Sequence, residues 1–240
     1  MGRPPPAAAC YPIRMEPSPA SATPATFPAV IPTPAPGRFG AGEFIVLGFT
    51  VAYLLPFAAV CLRGGNREFL LYLAVMLTLM PLVAWLHARI GLHRATLWGL
   101  SLWGLAHLAG GLVRIPADWH HDGSPVLYNL WLVPGRLRYD QVVHAFGFGL
   151  STWLCWQGLR AAFREAGVAI RPTPGLLLLC VLAGMGLGAL NEIVEFLAVL
   201  TIPDTNVGGY ENTGWDLVFN ALGACVAAIA IFLRSSRAGG

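Results

Sequence analysis

The chain has 240 residues, 56% of them hydrophobic and 11% charged, with a mean hydropathy of +0.62. A soluble domain carries about 25% charged residues, so the composition excludes an ordinary soluble protein and points to an all-α, polytopic membrane protein. The net charge of +3 is too small for a nucleic-acid partner, and membrane lipids are the surroundings that this composition implies.

Residues 1–42 hold eleven of the nineteen prolines, with alanine, serine and threonine between them and no helical period. The expectation is a disordered N-terminal arm. The arm lacks the apolar core of a signal peptide, so the first hydrophobic segment is expected to be retained. Six apolar segments follow, over 44–62, 69–87, 95–113, 139–159, 174–200 and 212–233. Each approaches the roughly 20 helical residues needed to cross a hydrocarbon core. The expected architecture is therefore a six-helix transmembrane bundle over 43–234 with a short cytoplasmic tail over 235–240. Small residues at four-residue spacing (Gly184 and Gly188, Ala145 and Gly149, Ala224 and Ala228) would let its helices approach closely. Cys10, Cys61, Cys155, Cys180 and Cys225 stand singly and make neither a disulfide framework nor a Cys-x-x-Cys metal motif.

Orientation follows from the arginines, since no lysine is present. With the N-terminus inside, the inner segments hold Arg3, Arg14, Arg38, Arg89, Arg94, Arg160, Arg164, Arg171, Arg234 and Arg237. The outer ones hold Arg63, Arg67, Arg114, Arg136 and Arg138. This excess places both termini in the cytoplasm. The acidic connection 201–211 then faces outward.

That orientation brings unusual polarity to one depth. Asp140 and His144 open the fourth segment, Asn191, Glu192 and Glu195 close the fifth, and Asp216 and Asn220 open the sixth. At 1.5 Å per residue all lie within roughly 3 to 13 Å of the outer boundary. Their spacings of three and four put each set on one helix face. His107, Gly111 and Arg114 form a stripe on the third segment, and the aromatic loop 115–138 could cap the site, with Trp and Tyr at headgroup level. His120 and His121 read as solvated loop residues, and His87 and His93 as inner-side headgroup contacts.

Tyr139-Asp140-x-x-x-His144, then Glu192-x-x-Glu195, then Trp215-Asp216-x-x-x-Asn220-x-x-Gly223 resembles the VanZ-like group of bacterial membrane proteins. The pattern is closer still to the YjdF-type family, whose members also carry a Gly-Gly after a histidine, as in His107 to Gly111. The resemblance covers residues 95–228. It implies a bacterial inner-membrane protein, and for the VanZ-like group an association with glycopeptide-antibiotic resistance, but it brings no settled reaction. The chain departs from the pattern at Asn191, where an aromatic residue is usual, at Gln141, which replaces a basic residue, and in the loop holding Asp204 and Asn206.

Ionisable groups at the edge of a membrane are costly unless paired, bound to an ion or used on a substrate. Four carboxylates at close range need neutralising by a divalent cation, by protons or by arginine. Three readings follow. In the first, an enzyme acts at the outer leaflet on a lipid or lipid-linked cell-envelope substrate. His144, Glu192 and Asp140 are its catalytic candidates, Glu195, Asp216 and Glu192 its candidate ligands for one divalent cation, and Arg114, Asn220, Asn191 and His107 its candidate substrate contacts. In the second, the carboxylates carry protons or cations across the membrane. In the third, the polar residues only lock three helices together. The sequence leaves open the choice among them, the cofactor and the oligomeric state.

Overall fold

The computed structural model describes residues 37–64, 67–203, 205 and 207–237. The Pro-rich arm up to residue 36, Asp204, Asn206 and residues 238–240 lie outside the described residues. Six helices follow in order: α1 (Ala41–Gly64), α2 (Arg67–Ile90), α3 (Arg94–Leu112), α4 (Tyr139–Glu165), α5 (Pro174–Thr201) and α6 (Tyr210–Arg237). Of these α1, α2, α5 and α6 are long and apolar enough to cross a membrane. The hydropathy of α3 and α4 is diluted by buried polar residues, Thr96 and Ser101 in the first and Gln141, His144, Ser151, Thr152 and Gln157 in the second.

Every helix except α3, which is shifted by one residue, outruns the apolar segment that marks it in the sequence. Hydrogen bonding continues past the hydrocarbon-like stretch wherever nothing stops it, so α4 runs on through Arg160 and Arg164 to Glu165. Where a chemical signal exists the boundary is sharp. Thr173 accepts a hydrogen bond from the Leu176 N–H at the start of α5, and Pro174 occupies its first turn, where the missing N–H costs nothing. At the start of α4 the Gln141 Oε1 accepts from the Arg138 N–H at 2.9 Å.

The connection between α3 and α4 departs from an all-α chain. It holds a short 3-10 turn (Leu127–Asn129) and two strands, β1 (Trp131–Val133) and β2 (Leu137–Arg138), which pair as an antiparallel ribbon. Single bridges join Arg114 to Val126 and His121 to Leu130. The ribbon closes through Pro134-Gly135, with the Arg136 N–H donating to the Val133 carbonyl at 2.9 Å and Gly135 at φ 67°. Proline then glycine suits this turn, because proline fixes the second position and only glycine enters the third without strain. The loop that sequence composition marks as a cap is therefore an ordered one.

Packing divides along the bundle. On one side Tyr53, Leu54 and Leu108 join α1 and α3, with Cys61, Phe69 and Tyr72 adding α2. On the other Trp156, Leu177, Cys180, Ala228 and Ile231 join α4, α5 and α6. Within the first group the Tyr53 hydroxyl donates to the Ser101 carbonyl at 2.9 Å and the Thr50 and Ser101 hydroxyls share a bond of 2.6 Å.

The closest approach is between α4 and α6. A Cβ on Gly149 would stand 2.8 Å from the Gly223 carbonyl oxygen, and one on Gly223 would run into the Ala145 carbonyl. Gly184 and Gly188 of α5 are equally tight, the first against Thr152 and the second with Asn220 Nδ2 2.6 Å from its would-be Cβ. Gly223→Val is accordingly expected to destabilise the bundle by about 1 to 3 kcal/mol, as overpacking of a close contact does. Thermal unfolding in detergent measures this, and an unchanged midpoint would show that the contact is looser than described.

Candidate functional site

The end of the bundle that holds the start of α4, the end of α5 and the start of α6 carries the polar cluster, and His144 is its centre. Its ring is buried, with 4% of the residue exposed. On the Nε2 side Asp140 Oδ1 lies at 3.5 Å and Asp216 Oδ1 at 3.9 Å. On the Nδ1 side Asn220 Oδ1 lies at 3.1 Å and Glu192 Oε1 at 3.7 Å. The i,i+4 spacing of Asp140 and His144 fixes the first pair within α4. The close α4–α6 contact one turn further along brings Asp216 and Asn220 to the same ring.

Asn220 decides what the imidazole can do. With its amide oxygen on Nδ1, that nitrogen is a donor, and in the neutral ring Nε2 presents a lone pair. Two carboxylate oxygens face Nε2, so the three atoms converge on one point. Such an arrangement needs a proton or a cation at its focus. Asp140, His144 and Asp216 each offer a ligand atom, all within 4.8 Å of one another. Metal bonds of about 2.1 Å would set ligand atoms about 3 to 3.5 Å apart, against 3.5 and 3.9 Å from Nε2 to the two carboxylates here. The ligand atoms of a second set, His144, Glu192 and Glu195, also lie within 4.8 Å of one another, but Asn220 already occupies Nδ1.

Asn212 ties the cluster to the cap. Its Nδ2 donates to Asp216 Oδ2 at 2.6 Å and lies 3.5 Å from Asp140 Oδ2, while its Oδ1 accepts from Arg138 Nη1 at 3.1 Å. Arg138 also donates from Nη2 to Asp122 Oδ2 at 2.7 Å and lies 4.7 Å over the Trp131 ring. Glu192 contrasts with these groups: it is buried, yet neither carboxylate oxygen has a hydrogen-bond partner. An unsatisfied buried carboxylate is costly and calls for an explanation.

Beside the cluster lies an open cavity of about 970 Å³, walled by α2, α3, α4, the cap, α5, the α5–α6 connection and the start of α6. Asp140 and Glu195 reach it, and Glu195 is steadied by the Asn191 amide at 2.8 Å. His107 reaches it too, set between the rings of Tyr72 and Tyr128 at centroid distances of 5.4 and 5.6 Å. Burial pushes the Tyr128 phenol well above its ordinary pKa, with the nearby Asp140 charge adding to the effect, so it stays neutral.

Of the residues singled out in the sequence, Asp140, His144, Glu192, Asp216 and Asn220 are brought together, with Glu195 and Asn191 beside them and His107 across the cavity. Arg114 is not brought in: it is exposed at the base of the cap, and Arg136 and Arg138 line the cavity instead. His87 is buried against Phe39, not turned towards headgroups, because the chain around Gly37 packs over it. Sequence reading missed Asn212, though 212, 216 and 220 continue one i,i+4 stripe. It also missed Glu68 and Tyr72, an i,i+4 pair opening α2 on the same cavity.

A family model described as "Predicted membrane protein (DUF2238)" matches residues 45–237. The chain therefore belongs to this family of predicted membrane proteins. An "Uncharacterized protein" of Thermotoga maritima is 29% identical over 99 residues, 41% of this chain, and the match spans about half (50%) of that relative's length. No solved structure matches the chain. The YjdF-type resemblance is consistent with this family; the VanZ-like resemblance is carried by motif order alone.

Arg138 joins the cap to α6 through one side chain, so Arg138→Ala is expected to loosen the cap without unfolding the helices. Amides of 119–133 should then exchange with deuterium on the order of tenfold faster, as loss of about 1.4 kcal/mol gives. Hydrogen–deuterium exchange in detergent checks this, and uniform protection would place the cap's stability elsewhere.

Proposed function

We propose that the protein is a six-span membrane enzyme that uses one divalent cation to activate water against a bond in a membrane amphiphile. Asp140, His144 Nε2 and Asp216 hold the cation at the floor of the cavity. One observation carries this reading: the imidazole nitrogen and two carboxylates that converge on a single point, next to a cavity large enough for a headgroup. A cation there would supply Lewis acidity and lower the pKa of bound water. Glu195, facing the cavity, would take the water's proton and return it to the group that leaves as the bond breaks. Glu192 stands behind the ring, where a carboxylate near the non-ligating nitrogen raises the basicity of the other. Asn220 holds the tautomer. The six spans, the outward-facing cavity and the cytoplasmic termini belong to the same reading, supported by the arginine distribution and by the chain reversing direction at each helix.

Two rival readings fit less well. A cluster that only locked helices together would close its hydrogen bonds, whereas Glu192 leaves both oxygens open. A proton or cation path would need polar steps through the membrane. Deeper in α4, among the described residues, the Ser151 and Thr152 hydroxyls donate back to Gly147 and Phe148 of their own helix.

Elemental analysis of detergent-purified protein, prepared without chelator, is expected to find about one divalent cation per chain. The paired variant Asp140→Asn, Asp216→Asn should lose it while eluting as a folded species. A metal-free wild type, or a variant that keeps its metal, would overturn the assignment. Glu195→Gln is expected to keep the metal and to lower turnover by about 10²- to 10⁴-fold, as removal of a general base does.

A further inference from the structure

A second polar surface lies on α4 at the end of the bundle away from the cavity. Helical residues four or seven apart share a face, and Phe146, Trp153, Arg160 and Arg164 form one such stripe. Its two flanks are occupied. Leu150 against Gly99 and Gln157 bonded to Thr96 set α3 along one flank, and Gly149 against Gly223 sets α6 along the other. Among the described residues α3 and α6 do not pack along one another, so the stripe between them is left open as a groove.

The groove changes character along its length. Phe146 is 45% exposed and gives it an apolar wall near the middle of the helix, and Trp153 follows two turns on. Arg160 and Arg164 come next, and from the α6 flank Arg234 lays its guanidinium over the Trp153 ring, 5.1 Å from its centroid. Tryptophan settles at the border between hydrocarbon and headgroups, so the three arginines stand at headgroup level.

Charge at this end is one-sided. Among the described residues its carboxylates are Glu43, bound to Arg94 at 2.8 Å, and Glu165. Glu165 follows Arg164 directly and so points about 100° away from the stripe. Arg94 and Arg138 have carboxylate partners, whereas among the described residues Arg160, Arg164 and Arg234 have none. The Arg164 Nε is also buried without a hydrogen-bond partner, a cost that an anion on the same guanidinium would offset. The helix dipole favours arginine at the end of α4 and of α6, but it does not gather three guanidinium groups on one groove with an apolar continuation.

We propose that this groove binds one anionic phospholipid, with its phosphate held by Arg160, Arg164 and Arg234 and a tail lying along Trp153 and Phe146 between α3 and α6. From Arg160 to Phe146 the helix rises about 21 Å, enough for the roughly 15 Å of tail in one leaflet. Basic pockets between helices on one side of a membrane recognise acidic headgroups in this way. The site is separate from the cavity and does not depend on the reaction proposed there.

Native mass spectrometry of the full chain purified in detergent tests this, with phosphatidylglycerol, phosphatidylcholine of the same chains and soluble glycerol 3-phosphate as probes. Phosphatidylglycerol is expected to bind on the order of tenfold more tightly than phosphatidylcholine. Arg160 and Arg234 are exposed, so the paired variant Arg160→Gln, Arg234→Gln should fold, and its preference should fall to near parity. Arg89→Gln is the control. It removes a charge at the same end of the bundle but from α2, where Arg89 lies over Trp85 at 5.6 Å, and it should leave the preference unchanged.

Equal affinity of the wild type for the two lipids, or a preference that survives in the paired variant, would overturn the proposal. An equal loss in Arg89→Gln would overturn the groove as the site and leave a general attraction to a basic surface. Glycerol 3-phosphate bound as tightly as the lipid would overturn the tail contact and leave a site for a free phosphate.

Discussion

The close approach of α4 and α6 is the constraint on which the rest of the site depends. Ala145, Gly149 and Gly223 leave no room for side chains between two backbones. In a membrane, where no hydrophobic force separates helix from lipid, this kind of contact holds helices together through dispersion and short polar bonds. It also sets the register. With Gly223 seated on Ala145, Asn220 falls opposite His144 and Asp216 opposite Asp140 one turn further out. Slipping either helix by a turn would move the amide off the imidazole and leave several buried polar groups unpaired. Packing by small residues and placement of the chemistry are thus one event.

The two ends of the bundle handle polarity differently. At the end away from the cavity, Glu43 accepts from Arg94 at 2.8 Å, Gln157 Nε2 donates to the Thr96 hydroxyl at 2.6 Å, and the Gln157 Oε1 accepts from the His93 N–H. That network ties α1 to α3 and α3 to α4 with its polar groups paired. The cavity end uses the same kinds of side chain but leaves Glu192, one amide nitrogen of Asn220 and the Tyr128 hydroxyl without partners. Unsatisfied buried groups subtract from stability. Unpaired buried nitrogens occur at the far end too, on His87 and Arg164, so what sets the cavity end apart is that its unpaired groups gather around one ring and one cavity.

Much of this could be read in the sequence because hydropathy and i,i+4 spacing are local quantities. The six helices, the polar layer and the residues around His144 all follow from patterns within single segments. What could not be read depends on contacts between segments. Glu68 and Tyr72 look like the ordinary start of an apolar helix until α2 is seen beside the cavity. Arg114 and Arg138 are equivalent as charges in a loop, and only the ribbon with its Pro134-Gly135 turn selects Arg138 for the site. The ribbon itself is too short for strand periodicity to register. Asn212 was visible as the first member of a stripe through Asp216 and Asn220, but nothing in one helix shows that it bridges two carboxylates and an arginine.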